Sequence, residues 1–471
     1  MQSRFIRFGT ALSATVALAT AAFAQGSNDC ATATVLSGFG TFPVSNVGAT
    51  DSPQPQTGCT TVHNDVWFEW TAPATGGASV SSCGTVSVDT VVQVFTGAGC
   101  PVVQPLVCND DSCGLQSSVT FSVTAGNVYM IRWGSYGAAT TYTGSFAIAS
   151  AVPPPPCGTN TGPDVIVGDM TDVLNVAASG GIDAVALGTT SCNIGTQVLV
   201  WVASTPAHPV IRQNVYKFKV VNGAGRMEQL GASWLKHAFA ATAGNLCCTC
   251  QGGGGGLGVG CSDTYGSGLN GGQSGAGPNW QVNAHTGVFP YPPANPAWSG
   301  AIARRCQMPV SELEATGGGS TVRYFGEGQY VTADDSAAGN QNNNSSWREL
   351  TCAGTTDFSF TFTGVTSRAQ PAIRAWALAE TGVTLNDVQV PGDGLVVVGS
   401  KATSLGGGQW HYEYAVYNMN ADRNVGSFSV PVPSGANVAN VGFHDIAYHD
   451  GDGNGSANFA GTDWPATITG S

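Results

Sequence analysis

The feature that most constrains this chain is a recurrence of short runs in which apolar and polar residues alternate, each closed by Gly, Pro, Asn or Asp. In DVWFEWTAPATGGASVSSCG, Val66, Phe68 and Trp70 alternate with Trp67, Glu69 and Thr71, a Pro73-to-Gly77 turn follows, and alternation resumes at Ala78. DTVVQVFTGAGC, QSSVTFSVTAGNVYMIRWGSY and TTYTGSFAIAS repeat the scheme. A period of two sends successive side chains to opposite faces, so such runs make sheets with one buried face. With 65 Gly among 471 residues and only 10% charged residues, the composition suits β-sandwiches joined by Gly-rich turns. The expected fold is mostly β, in two or three β-sandwich or jelly-roll-like modules with at least one helix.

Residues 1–24 read as a secretory signal: Arg4 and Arg7 precede an apolar run, and Ala22-Phe23-Ala24 has the small-x-small form that signal peptidase cleaves. No later stretch approaches the roughly 20 apolar residues of a membrane helix, so no membrane span is expected. The location expected is secreted, extracellular or at the cell surface. There the 14 Cys, an even number, should pair as disulfides. A net charge of -13 and the absence of a Lys/Arg cluster argue against nucleic acid as a partner. Polysaccharide or cell-surface components are the partners expected; oligomeric state is not legible.

Prolines 153–156 cannot join a ladder and favour an extended linker, so residues 151–157 divide the chain. Residues 28–150 precede it. A second break is placed near residue 355, giving a mixed region at 158–354 and a sandwich-like region at 355–471 whose last strands read as unfinished.

The segments NDCATATVL, DVWFEWTAPATGGASVSSCGT, DTVVQVFTGAGC and LVCNDDSCGLQSSVTFSVTAGNVYMIRWGSY resemble the pre-peptidase C-terminal (PPC-like) type of β-sandwich of secreted bacterial proteins. The resemblance implies an accessory jelly-roll-like domain linked to surface attachment or to carrying another domain, which in some relatives holds calcium. Stretches after Gly158, among them GPDVIVGDMTDVLNVAASGGIDAVALGTTSCNIGTQVLVW and WHYEYAVYNMNADRNVGSFSVPVPSGANVANVGFHD, resemble uncharacterised secreted bacterial proteins.

One helix is expected at about 226–243, where Met227, Leu230, Trp234, Leu235, Ala238 and Phe239 recur at helical spacing, with Lys236 on the solvent side and His237 at the edge of the apolar stripe. Cys247, Cys248, Cys250 and Cys261 could offer four thiolates to zinc. Adjacent cysteines and an oxidising setting favour disulfides, which are expected also for Cys157, Cys192, Cys306 and Cys352. In the first region, pairing Cys30 with Cys59, Cys100 with Cys108 and Cys83 with Cys113 would tie strand ends to loops.

Candidate chemistry is sparse. There is no P-loop, GxSxG elbow or HExxH helix. A catalytic set would have to be assembled from His237, Asp263, His285 and Glu327, as imidazole and carboxylate groups able to bind a metal or move protons. Calcium has two candidate sites. Asp450, Asp452 and Asn454, followed by Gly455, match the start of a DxDxNG loop, with Asp463 able to supply a further carboxylate; Gly461 stands where an EF-hand needs Glu. Asn109, Asp110 and Asp111 lie between cysteines. In both places an Asx or hairpin turn is the alternative. Trp280, Phe289, Tyr291 and Trp298 lie in a Pro-rich loop and could stack on a ligand or plug the core. The function expected is attachment or structure at the cell surface or matrix; the alternative is a metal-dependent extracellular hydrolase or oxidase acting on polymer.

Overall fold

In the first region the alternation becomes two facing sheets. The computed structural model describes residues 26–56, 60–73, 76–151, 157–221, 223–272, 275–294, 300–433, 435–446 and 464–468. Strands β1 (Thr34–Ser37), β3 (His63–Thr71), β5 (Thr90–Thr96), β6 (Val107–Asn109) and β8 (Val128–Ser135) form one sheet in the order β1-β3-β8-β5-β6. The other is β2-β9-β4-β7, from β2 (Gly40–Ser45), β4 (Gly76–Ser81), β7 (Ser118–Val123) and β9 (Thr143–Ala151). Val66, Phe68 and Trp70 of β3 meet Tyr129, Ile131 and Trp133 of β8 and Phe146 and Ile148 of β9 in the core between the sheets. Each such side chain contributes roughly 1.5–3 kcal/mol by leaving water. Trp67 is also buried, on the outer face against Cys30, Phe95 and Met130. The guanidinium of Arg132 lies over the Trp67 ring and 3.0 Å from Asp65, both members of the pair fully buried.

After the linker, a second core lies between two sheets. β10 (Val165–Ser179), β11 (Ile182–Asn193), β15 (Ser262–Tyr265) and β17 (Cys306–Pro309) form the smaller one, with β11 central. The larger runs β16-β14-β12-β18-β19-β20, from β12 (Val210–Val221), β14 (Leu235–His237), β16 (Ala276–Gly277), β18 (Arg323–Val331), β19 (Ser345–Gly354) and β20 (Phe358–Ser367), with β13 (Ala224–Ala232) also on β12. β12 is covered on both faces: Ile211 and Val215 enter the inter-sheet core, while Tyr216 and Phe218 enter another beneath α3 (Arg374–Ala379) and a third sheet. That sheet is β21 (Thr384–Gln389), β22 (Leu395–Gly406) and β23 (Gln409–Asn418), in that order. β19 and β20 pair across residues 355–357, so the flanks of the expected second break share one sheet.

The protein is mostly β, as the alternation requires. The helix expected at 226–243 is not there: Ala224–Ala232 is strand β13, paired with β12 from Val221↔Ala224 to Asn214↔Ala232, and Leu235–His237 is strand β14. Two things override the helical spacing. Asn222-Gly223 is a strong two-residue hairpin signal, and Gly223 takes a φ of +82°. A side chain at Gly231 would put its Cβ 2.4 Å from the Gln307 carbonyl oxygen, so β13 lies close against β17. The described helices are one to two turns long, α1 (Ser267–Gly272), α2 (Ala333–Ala338) and α3. Lys236, expected in solvent, is fully buried, because strand pairing turns it toward the chain around Arg304, whose carbonyl accepts its ammonium proton at 2.6 Å.

Among the described residues five disulfides are formed, Cys30–Cys100, Cys83–Cys113, Cys157–Cys248, Cys192–Cys247 and Cys250–Cys261. The four cysteines of the Gly-rich loop are thus cross-linked rather than gathered as a thiolate cage. Cys30 bonds Cys100, not Cys59; Cys59 lies outside the described residues. Cys306 and Cys352, each expected in a disulfide with no partner assigned, are free thiols. Both are buried thiols in the inter-sheet core, opposite Val185 and Phe360, where burial pushes each pKa up to about 12.

Candidate functional site

β12 also fixes the catalytic candidates. His237 ends β14 opposite Val210 on one flank of β12, and Glu327 lies on β18 opposite Asn214 on the other. Four residues along a strand and two strand spacings across put them roughly 16 Å apart. Each is engaged locally. The two carboxylate oxygens of Glu327 accept from Asn214 Nδ2 (2.8 Å), Tyr216 Oη (3.2 Å), Tyr417 Oη (2.9 Å) and the Ala372 amide (2.6 Å), which fills the lone pairs of a fully buried group. Burial raises its pKa, against the pull of those donors. The residue ties the larger sheet to α3 and β23.

His237 Nδ1 lies 2.9 Å from Nε2 of His208, two residues before β12, with the rings edge to face. Phe289 packs on both imidazoles, so this member of the Pro-rich loop is a plug, while Trp280 and Tyr291 stay largely exposed and Trp298 lies outside the described residues. Burial, then the neighbouring His208, pulls the pKa of His237 down to about 4, and burial lowers that of His208. Two neutral rings therefore share one hydrogen bond at pH 7. Asp263, on β15 in the smaller sheet, is buried and accepts from the amide and hydroxyl of Thr242, both at 2.7 Å; burial raises its pKa. His285 sits in the 283–288 turn near Asp393, whose carboxylate accepts the amides of Gly394, Asp422 and Arg423. The four candidates thus occupy four separate settings. Among the described residues no three ligand atoms from this set lie within 4.8 Å of one another.

Carboxylates do converge in the first region. Oxygens of Asp89, Asp110 and Asp111 lie within 4.8 Å of one another, Asp89 standing just ahead of β5 and the other two just after β6. The side-chain oxygen of the preceding Asn109 accepts the Ser118 amide. Burial, then Asp111 and Asp89, push the pKa of Asp110 up to about 6; burial and Asp111 raise Asp89. Oδ1 of Asp89 and Oδ1 of Asp110 are buried without a hydrogen-bond partner. Asp450, Asp452, Asn454 and Asp463, the other calcium candidates, lie outside the described residues.

Sequence reasoning did not find His208, Asp89 or the buried Asp164 and Asp335. Asp335 accepts the Val165 amide and Asn344 Nδ2, both at 2.9 Å, and burial first among its causes raises its pKa to about 7. Only the Asn-rich run 340–344 gave a hint, since a cluster of side-chain amides needs buried acceptors. Asn343 reaches Asp164 and Asn344 reaches Asp335.

The cysteine that follows the Pro-rich segment is the other built feature. Cys157 is bonded to Cys248, while the adjacent Cys247 is bonded to Cys192 near the end of β11, the central strand of the smaller sheet. Among the described residues no helix is long and apolar enough to cross a membrane. No family model matches the chain, and no curated protein matches it in sequence.

Proposed function

We propose that this is an exported attachment or structural component of the cell surface or matrix, with residues 28–150 acting as a PPC-like accessory sandwich. One observation carries the reading: the linker is spliced covalently into the second region. Tension arriving through the linker reaches Cys157, crosses to Cys248, and is passed by the neighbouring Cys247 to Cys192. Such a joint stabilises any exported fold, and a tether gains in addition a covalent path for load. The alternative, a metal-dependent hydrolase or oxidase, draws no support from His237, Asp263, His285 and Glu327, each engaged in a different part of the fold. The test is retention of the protein on the producing cells under shear. Cys157→Ser/Cys248→Ser, which leaves no odd thiol, should be shed at lower shear than the parent while melting as a folded protein. Equal retention would contradict the reading.

Calcium is a second reading, with Asp89 joining Asp110 and Asp111 of the sequence-based candidate. The fit rests on the orphaned Oδ1 atoms of Asp89 and Asp110, hard oxygen donors held beside like charge. A bound divalent cation would offset that repulsion and tie the β5 entry to the β6 exit.

A further inference from the structure

The third sheet has one face against the core; the other is covered at Val396 but exposed along the rest of the β22–β23 hairpin, and the two faces differ in chemistry. On β23, Trp410, Tyr412, Tyr414 and Val416 are 55%, 57%, 37% and 39% exposed, at every second position and hence on one face. Their partners on β22 are Ser404, Ala402, Ser400 and Val398. A row of rings therefore runs beside a row of small and hydroxyl-bearing side chains. Phe428 extends the row, its ring 5.3 Å from that of Tyr414.

Charge is kept off this face. Asp387, Lys401 and Glu413 stand at the alternate positions of the same three strands and are engaged there, by Arg374, the Thr381 carbonyl and Arg226 respectively. In a chain of net charge -13 an uncharged aromatic strip is a selective surface. It suits a ligand with apolar C–H faces, hydroxyl edges and no charge.

We propose that the outer face of the β21–β23 sheet binds a neutral polysaccharide, with Trp410 and Tyr412 as stacking platforms and Ser400 and Ser404 meeting the hydroxyl edge. Successive rings on β23 are about 6.6 Å apart, so Trp410 to Tyr414 spans about 13 Å, enough for a few linked sugar rings. Sugar C–H faces lie flat on the rings, and the strand direction sets the direction of the bound polymer. The inference rests on the attachment reading and supplies its ligand.

The test is affinity electrophoresis of the full oxidised chain in native gels containing hydroxyethylcellulose or galactomannan, with polygalacturonate as the acidic comparison. Retardation is expected in a neutral polymer and not in the acidic one. Trp410→Ala and Tyr412→Ala should each weaken it by roughly 3- to 10-fold, the range set by aromatic packing energies, without moving the melting temperature. No retardation in either neutral polymer, or retardation unchanged in both variants, would overturn the proposal. So would a dimer in sedimentation that Trp410→Ala converts to monomer, since the face would then belong to a second copy. None of these outcomes bears on shedding of the cysteine variant, so the two readings fail separately.

Discussion

The first sandwich and the region after the linker solve burial in different ways. In the sandwich the fully buried ion pair is compensated on the spot, Arg132 against Asp65, and Asp65 also accepts from the Ser52 amide and hydroxyl. In the second region buried Lys217 meets Glu228 and Glu312, but other buried ionisable groups take neutral partners: Glu327 neutral donors, Asp335 an amide and an asparagine, His237 another histidine, Lys236 a carbonyl. Burial without a counter-charge shifts a pKa, and the shift makes stability titrate. The larger shifts thus lie mostly in the second region, at Asp335, Lys236 and His237, with Asp110 their counterpart in the first.

Breaking the pair in the sandwich should give the largest loss. Arg132→Ala leaves Asp65 buried and uncompensated and should cost about 3–5 kcal/mol in denaturant unfolding of the first region, with the second region's transition unmoved. A cost below about 1 kcal/mol would remove the contrast.

Next comes the pH dependence of the second region, where two opposite slopes are expected. The pKa of Asp335 is raised to about 7 from an ordinary 3.8, so the fold holds its proton more tightly than the unfolded chain; stability is present at low pH and is lost as pH rises from about 4 through 7. The amplitude is up to about 4 kcal/mol. His237 runs the other way: lowered to about 4 from 6.5, it contributes stability that is whole above 6.5 and is lost as pH falls toward 4, by up to about 3 kcal/mol. Asp335→Asn should remove the first slope and His237→Phe the second, read from melting temperatures between pH 4 and 8. Parallel profiles for parent and both variants would deny that these groups titrate with folding.

The thiols sharpen the comparison on a smaller scale. Native protein without reductant should show no reaction at Cys306 or Cys352, and both should react once denatured. Cys306→Ala, a small cavity in the inter-sheet core, should cost about 1 kcal/mol. Smallest is calcium: at the affinity of extracellular modules, millimolar ion should stabilise the first region by about 0.5–1.5 kcal/mol, an effect absent in Asp110→Asn.

Much of the architecture was legible because alternation is a local signal. Val66, Phe68 and Trp70 face the core as their spacing demands. The 226–243 stretch misled because apolar residues at helical spacing can also fall on both faces of strands with buried sides, and Met227 and Leu230 enter different cores. Asn222-Gly223 carried the better clue. The sites were far less legible. His208 meets His237 only through the register Val210↔His237, and Asp89 meets Asp110 only because β5 pairs β6, neither of which spacing encodes. The β23 alternation was visible, but which of its faces stays open depends on what Tyr417 and Val397 pack beneath.

Pulling the full chain by its ends tests the spliced linker most directly. The 91-residue span closed by Cys157–Cys248 contains the 55-residue span closed by Cys192–Cys247, so breaking only the outer bond frees the difference, 36 residues. At about 3.4 Å each that adds about 120 Å of contour in Cys157→Ser/Cys248→Ser, and full reduction adds about 310 Å over the span. The account predicts both increments, with the second region opening at lower force in the variant. An unchanged contour and force would contradict it.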